Sequence, residues 1–365
     1  MQMNQYVGKQ SIKFVKPPHI ISYAAVAGKK ENDGPLGGLF DLTDENDSMF
    51  GKNTWEEAES YMQEQAVGLA IQKAGLKPKD IRYLIGGDLL GQMIATSFGA
   101  EKHDIPFLGV YGACSTMGES MSLAAILTAG GFAKRAAAVT SSHFACAEKE
   151  FRFPLSYGNQ RALASTWTVT GSGAVVVEAS EDSKETVTSG TGQTEADGQV
   201  RAQCLEDSIV KIIGITTGKI VDYGVKDSIN MGACMAPAAA DTIQCFLKDF
   251  SKKPEDFDRI ITGDLGTIGT GILKDILNNN GYDISKQHMD CGNIIYDADT
   301  QDTHSGGSGC GCSAVTLCAH ILRKMKSGEW KNVVFVPTGA LLSKVSFNEG
   351  RTVPGIAHAV WLSIE

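Results

Sequence analysis

Two segments of this chain repeat each other, and that repetition limits the fold more than any other feature. Residues 77–89 read Lys-Pro-Lys-Asp-Ile-Arg-Tyr-Leu-Ile-Gly-Gly-Asp-Leu. Residues 253–265 read Lys-Pro-Glu-Asp-Phe-Asp-Arg-Ile-Ile-Thr-Gly-Asp-Leu, identical at seven of the thirteen positions. Each copy follows a helical pattern, Ala58 to Ala74 in the first and Ala236 to Phe250 in the second. Each passes from a proline-marked turn into a short apolar strand that stops at Gly-Asp. Further on, Gly112-Ala113-Cys114 leads into a helix ending near Gly130-Gly131, and the strand Ala136 to Thr140 follows. The counterpart is Gly309-Cys310-Gly311-Cys312, a helix ending near Ser327-Gly328, and the strand Val333 to Val336. Repeats of this size are duplicated domains rather than solenoid units. The expected halves are 1–180 and 181–365. Strand and helix alternate, which predicts an α/β fold with mostly parallel pairing in each half. Ligands of such sheets bind beyond the carboxyl ends of the strands, so both small-residue turns are expected to face one cleft.

Cys114 stands at the more informative of those turns. An apolar run, Pro106 to Val110, ends at Tyr111-Gly112-Ala113, and a helix-forming stretch begins at the cysteine. A thiol at a helix N-terminus is expected to have a lowered pKa, and backbone N–H groups from Cys114 to Thr116 are expected to attract an anion. His143 follows the strand Ala136 to Ser142 and should emerge at the same cleft end, where it would pair with Cys114. The segment Lys149 to Arg161 carries Arg152, Arg161, Phe151, Phe153 and Tyr157 within thirteen residues. Two guanidinium groups and several flat rings read either as charge-assisted donors beside an apolar wall or as an interface loop with solvated charges. Lys344 and Arg351 are weaker candidates of the same kind.

The remaining sequence excludes more than it proposes. A net charge of −9 argues against a nucleic-acid or anionic-lipid surface. Nine cysteines without a framework spacing read as reduced thiols in a cytosol-like compartment. No apolar run approaches the roughly 20 residues that span a bilayer, and residues 1–16 lack the apolar core of a signal peptide. Asp297 to Ser308 looks metal-like, but an EF-hand loop needs glycine and an acid where this chain has Asp302 and Ser308. Cys310-Gly311-Cys312 lacks the spacing and second pair of a zinc site, so no metal and no cofactor are expected. Lys29 to Asn53 reads as a loop or interface arm, and Ser180 to Asp197 as a strand end and connection. Leu341 to Ile364 reads as two strands around Asn348-Glu349-Gly350, a hairpin signal.

The chain resembles the thiolase superfamily in its ketoacyl-synthase-III-like branch. The residues that carry the resemblance are Gly112-Ala113-Cys114, the strand Trp167 to Val177 with its Gly171-Ser172-Gly173-Ala174 core, and the closing segment Pro337 to Ile364. Through Gly112 to Arg161, with Ser141-Ser142-His143-Phe144 and Phe151-Arg152-Phe153-Pro154-Leu155, it is most similar to the stage V sporulation protein AD family of spore-forming bacteria. The resemblance implies a five-layered αβαβα fold of two duplicated mixed-sheet halves, and a homodimer. It implies a binder of dipicolinic acid, free or with calcium, that helps load this dianion into the developing spore. It also implies partners among membrane transport proteins of the same sporulation system, and a cytoplasmic place at the spore inner membrane.

The position of Cys114 matches the nucleophile of that superfamily, and a condensing enzyme needs a histidine and a second His or Asn from the C-terminal half. After the strand Arg259 to Thr262 this chain has Gly263-Asp264, and the glycine-rich turn offers Ser308, Cys310 and Cys312. No histidine lies between His143 and His288, and His304 comes four residues early. An anion at Asp264 would repel an enolate. The expectation is therefore a non-catalytic binding protein whose ligand residues are Cys114, His143, Arg152 and Arg161. The alternative is a Cys114-dependent acyltransferase or condensing enzyme, with His143 as its base.

Overall fold

The computed structural model describes residues 4–151, 161–180 and 209–364. Ten strands build its two main sheets. The first half supplies β1 (His19–Ala27), β2 (Tyr83–Gly87), β3 (Phe107–Gly109), β4 (Arg135–Ser142) and β5 (Gly171–Glu178). The second supplies β6 (Val210–Thr216), β7 (Arg259–Thr262), β8 (His288–Asp290), β9 (Asn332–Val336) and β10 (Ala359–Ser363). The first sheet runs in the order β3-β2-β4-β5-β1 and the second in the order β8-β7-β9-β10-β6. Adding five to each strand of the first sheet gives the second, so the duplication read from the turns extends to the topology. In each half the pairings next to the edge are parallel and those next to the seam antiparallel. The sheets are thus mixed rather than mostly parallel, because β5 and β10 return against their neighbours.

The helices repeat in the same way. We label α1 (Trp55–Lys73), α2 (Ile94–Glu101), α3 (Thr116–Ala129), α4 (Phe144–Phe151), α5 (Met231–Asp249), α6 (Gly266–Asn279) and α7 (Cys310–Thr316). α1 and α5 each have 19 residues. Thr54 and Glu57 close a reciprocal cap at the start of α1, and the Asn230 side chain accepts from Ala233 N–H at the start of α5. α5 begins five residues before the expected Ala236, at Met231, and carries Pro237 inside it. The Lys-Pro turns are superimposable devices. Lys77 N–H donates to Asp80 Oδ2 at 2.8 Å, and Lys253 N–H to Asp256 Oδ2 at 3.0 Å.

Five layers result. α1 packs on the outer face of the first sheet through Met62, Ala66, Val67, Ala70 and Ile71. α5 and α6 cover the outer face of the second through Ile243, Phe246, Leu273 and Leu277. Between the sheets lie α3 and α7, where Met117, Met121, Val315 and Leu317 share one core with Ile85, Val175, Ile261 and Phe335. The sheets join where β1 meets β6 antiparallel, Ile20 opposite Val210 and His19 opposite Lys211. An N-terminal arm crosses the seam as well: Ser11–Lys13 pairs antiparallel with Gly214–Thr216.

Three further expectations change. Asn348-Glu349-Gly350 does not turn a hairpin. Ser343 caps a single helical turn, Lys344–Asn348, which Gly350 terminates at φ 82°. The antiparallel partners there are Thr338–Ala340 and Gly355–Ala357. Trp167 to Val177 is two strands, Trp167–Thr168 paired with Gly307–Ser308 and then β5. The segment Lys29 to Asn53 contains a helical turn, Lys29–Asn32, and a short strand, Leu42–Thr43. Most of the connection that begins at Ser180 lies outside the described residues.

Candidate functional site

The turn that carries Cys114 is held by its own hydroxyls. Ser115 Oγ donates to Gly112 O at 2.7 Å, Thr116 Oγ1 donates to Ala113 O at 2.6 Å, and Gly112 N–H donates to Thr116 Oγ1 at 3.1 Å. Ala113 takes φ 48°, a left-handed conformation that residues with a Cβ seldom adopt. The helix begins at Thr116, with Ser115 as its cap, so Cys114 stands outside the first helical turn. Ser115 N–H is spent on Gly112 O at 3.0 Å and Thr116 N–H on Ala113 O at 3.2 Å. Neither of these two expected donors is left for an anion. Across the turn, Gly339 comes so close that a Cβ there would lie 2.2 Å from Gly112 O and 3.1 Å from Cys114 N.

Cys114 faces a cavity of about 40 Å³ built by both halves. Leu89, Phe151, Met231 and Met235 give it apolar walls, and Thr166, Thr168, Ser308 and Tyr111 add hydroxyls. Asp264, from the strand end after β7, closes it opposite the thiol. Its duplicate Asp88 has turned inward: it accepts from Leu90 N–H at 2.8 Å and Thr96 N–H at 2.7 Å. In the second half Asp290 takes that work, accepting from Leu265 N–H at 3.0 Å and Gly266 N–H at 2.9 Å. Asp264 is thereby released toward the cavity. Its Oδ1 accepts from Thr338 Oγ1 at 2.7 Å and its Oδ2 from Gly309 N–H at 3.1 Å.

The charges in this site are the reverse of an activated nucleophile. Burial pushes the Cys114 thiol well above the ordinary thiol range, and the neighbouring Asp264 carboxylate, to which it is hydrogen-bonded, pushes it further. Burial likewise raises Asp264 to about 7, against the hydrogen bonds from Thr338, Cys114 and Gly309. The lowered thiol pKa expected from a helix dipole is not found, because the thiol lies outside the helix and beside an acid.

Of the four residues singled out in the sequence, the three described ones separate. Cys114 lines the cavity. His143 does not: its Nε2 lies 3.3 Å from Ser48 O and its Nδ1 accepts from Ala145 N–H at 3.1 Å. Burial holds its pKa down at about 4, so it is a neutral structural imidazole. Arg161 lies behind the cavity wall. Thr166 and Thr168 face the cavity, and Trp167 between them faces the other way, stacked on Phe144 at 3.8 Å. Arg161 sits 4.8 Å over that indole and donates to Asp302 Oδ2 at 3.0 Å. Arg152 falls outside the described residues, as do Phe153 and Tyr157. His304 binds Ala162 O through Nδ1 at 2.9 Å and does not line the cavity. Lys344 and Arg351 are likewise absent from its lining.

Two residues escaped the sequence reading. Thr166 Oγ1 is buried, lines the cavity and has no hydrogen-bond partner among the described residues. Glu31, in the segment read as a loop, is fully buried, accepts from Thr170 N–H at 3.0 Å and is bonded to Tyr296 Oη. A glutamate in a Gly/Asp-rich stretch carries no signal of burial. No group of metal-binding side chains occurs among the described residues.

A duplicated five-layered body with a cysteine on a strained turn above the strand ends defines a thiolase-like protein, and solved structures agree. 3-Oxoacyl-[acyl-carrier-protein] synthase III from Aquifex aeolicus VF5 matches with a TM-score of 0.52 at 15% identity, over 95% of this chain and 99% of that one. A variant of OleA from Xanthomonas campestris gives a TM-score of 0.55 at 14% identity, over 99% and 100% of the two chains. At these identities the likeness is one of fold. Sequence goes further: residues 8–363 match the family described as Stage V sporulation protein AD (SpoVAD). The chain is 44% identical to the Stage V sporulation protein AD of Bacillus subtilis (strain 168) over 354 residues, 97% of this chain and 96% of that protein. It therefore belongs to the stage V sporulation protein AD family. Among the described residues no helix is long and apolar enough to cross a membrane.

Proposed function

We propose that this sporulation protein is a receptor for dipicolinate, which it binds in the Cys114 cavity and passes on during uptake into the developing spore, without catalysis. The observation that carries this reading is the Cys114–Asp264 pair. A condensing nucleophile needs a base and an oxyanion donor. Here the thiol keeps its proton against a carboxylate, and among the described residues no histidine lines the cavity. What remains is a small chamber with apolar walls and hydroxyls from Thr166, Thr168, Ser308 and Tyr111, which an aromatic acid would enter by displacing its walls, since the free volume is about 40 Å³. Arg152, directly after the wall residue Phe151, is the side chain we assign to the second carboxylate.

The setting follows from the same reading. Membrane transport proteins of the sporulation system would hold the protein at the spore inner membrane, since no described helix spans a bilayer. A homodimer would form along the sheet edge at β3, where Leu108 is exposed.

Calorimetric titration with dipicolinate, with and without calcium, tests the reading, with benzoate as the single-carboxylate control. Micromolar binding, about −8 kcal/mol, that benzoate does not match supports it. Absence of heat at millimolar ligand refutes it. Mass spectrometry after incubation with acyl-CoA tests the competing acyl-transfer reading: an acyl adduct on Cys114 would replace our proposal.

A further inference from the structure

Resting on the dipicolinate reading, we propose that Asp264 is the specificity-determining group of the cavity: it meets a ligand carboxylate as a carboxylic acid, so that binding takes up one proton from solvent. Among the described residues the cavity lining contains no lysine, arginine or histidine, and it contains two acids, Asp264 and Glu148. A carboxylate ligand placed against a buried carboxylate cannot stay ionised together with it. One shared proton converts that repulsion into a short O–H···O⁻ bond, among the stronger hydrogen bonds available.

Asp264 is built for this exchange. Thr338 Oγ1 and Gly309 N–H fix its two oxygens at 2.7 and 3.1 Å, so the carboxyl plane is set before a ligand arrives. Of the other titratable groups around it, the thiols hold their protons, whereas Asp290, which burial raises to about 6, ionises at the lower edge of the neutral range, and Glu148 shares the lining. Cys310, Cys312 and Cys291 are buried thiols and Cys114 a half-buried one, all pushed well above the ordinary range. Asp290 is turned to Leu265 and Gly266 N–H and to Thr262 Oγ1. Thr166 Oγ1, buried in the facing wall without a partner, supplies a second, neutral donor for the same ligand. Burial already holds Asp264 at about 7, which puts the proton exchange in the neutral range. The ligand's own carboxylates ionise well below that range.

The test is calorimetry of dipicolinate binding to the full chain in phosphate and in Tris, whose ionisation heats differ, from pH 6 to pH 8. Uptake of about one proton is expected at pH 8 and little at pH 6, with affinity falling roughly tenfold per pH unit above 7. The Asp264→Asn chain is expected to bind with heats equal in both buffers. Wild-type heats that match in the two buffers at every pH overturn this inference and leave the receptor reading standing. Buffer-dependent heats that persist in Asp264→Asn assign the proton elsewhere and also overturn it. No heat at any pH removes the receptor reading and the inference with it. The wild-type comparison decides the matter even if the variant does not fold.

Discussion

Replacing Asp264 by asparagine should make Cys114 reactive. The thiol is held up by burial and by the adjacent carboxylate, and the substitution removes only the second cause. An ordinary thiol near pKa 8.5 is about one-tenth thiolate at pH 7.5, and each unit of upward shift divides that fraction by ten. A unit charge about 4 Å away at an effective dielectric of about 20 contributes about 4 kcal/mol as an upper figure. A third to a half of it, spread over about 1.36 kcal/mol per pKa unit, is roughly one unit or slightly more. Alkylation of Cys114 at pH 8 should therefore accelerate about tenfold in the variant, since the thiolate is the reacting species. The assay is a timed iodoacetamide pulse read by peptide mass spectrometry, with the partly exposed Cys245 as internal standard. Wild-type Cys114 should lag behind Cys245. Wild-type Cys114 that keeps pace with Cys245, or a variant no faster than wild type, would refute the thiol–carboxylate account.

Other consequences are equally direct. Burial raises Glu59 to about 8, Asp264 to about 7 and Asp290 to about 6, so each folded carboxyl holds its proton more tightly than the unfolded one, and stability falls as pH rises through those values. Burial lowers His143, His288 and His358 to about 4, so their contribution is lost as pH drops from the unfolded imidazole range through 4. The melting temperature should peak near pH 6, and a steady rise from pH 6 to 8 would contradict this. Asp80→Ala and Asp256→Ala break the same bond in the two halves. Each should cost about 1 kcal/mol in urea unfolding, and the double variant should be additive within about 0.5 kcal/mol. Gly339→Ala sets a methyl 2.2 Å from Gly112 O. It should cost about 1–3 kcal/mol and weaken dipicolinate binding together, by melting and titration; a neutral outcome would mean that the Cys114 turn is soft.

The duplication was legible because its most similar stretch is a turn, where Lys-Pro and Asp at fixed spacing have one local solution, and the apolar strands downstream could be matched in pairs. Cys114 was legible because small residues between strand and helix mark a strand-end turn. The environment of the thiol was not, since Asp264 lies 150 positions away and only the divergence of Asp88 and Asp290 decides where its carboxyl points. His143 misled for a related reason. Emergence at a strand end fixes a backbone position, whereas the ring turned to Ser48, from a segment that looks like a surface loop. Gly350 was read as a hairpin turn when it ends a helical turn, a choice that depends on Ser343 seven residues earlier.

The arm that crosses the seam sets a timetable. Ser11 Oγ pairs with Thr216 Oγ1 across 205 residues of sequence, and the same hydroxyl reaches Asp249. The ribosome therefore releases these early residues long before the strand that receives them. A nascent first half can close β1 to β5 on α1, yet its arm must wait for β6, and the inner face of its sheet must wait for α7. An interruption of synthesis anywhere between would leave an adhesive edge and an open core face, and a chaperone that shields both is the help such a chain would need most.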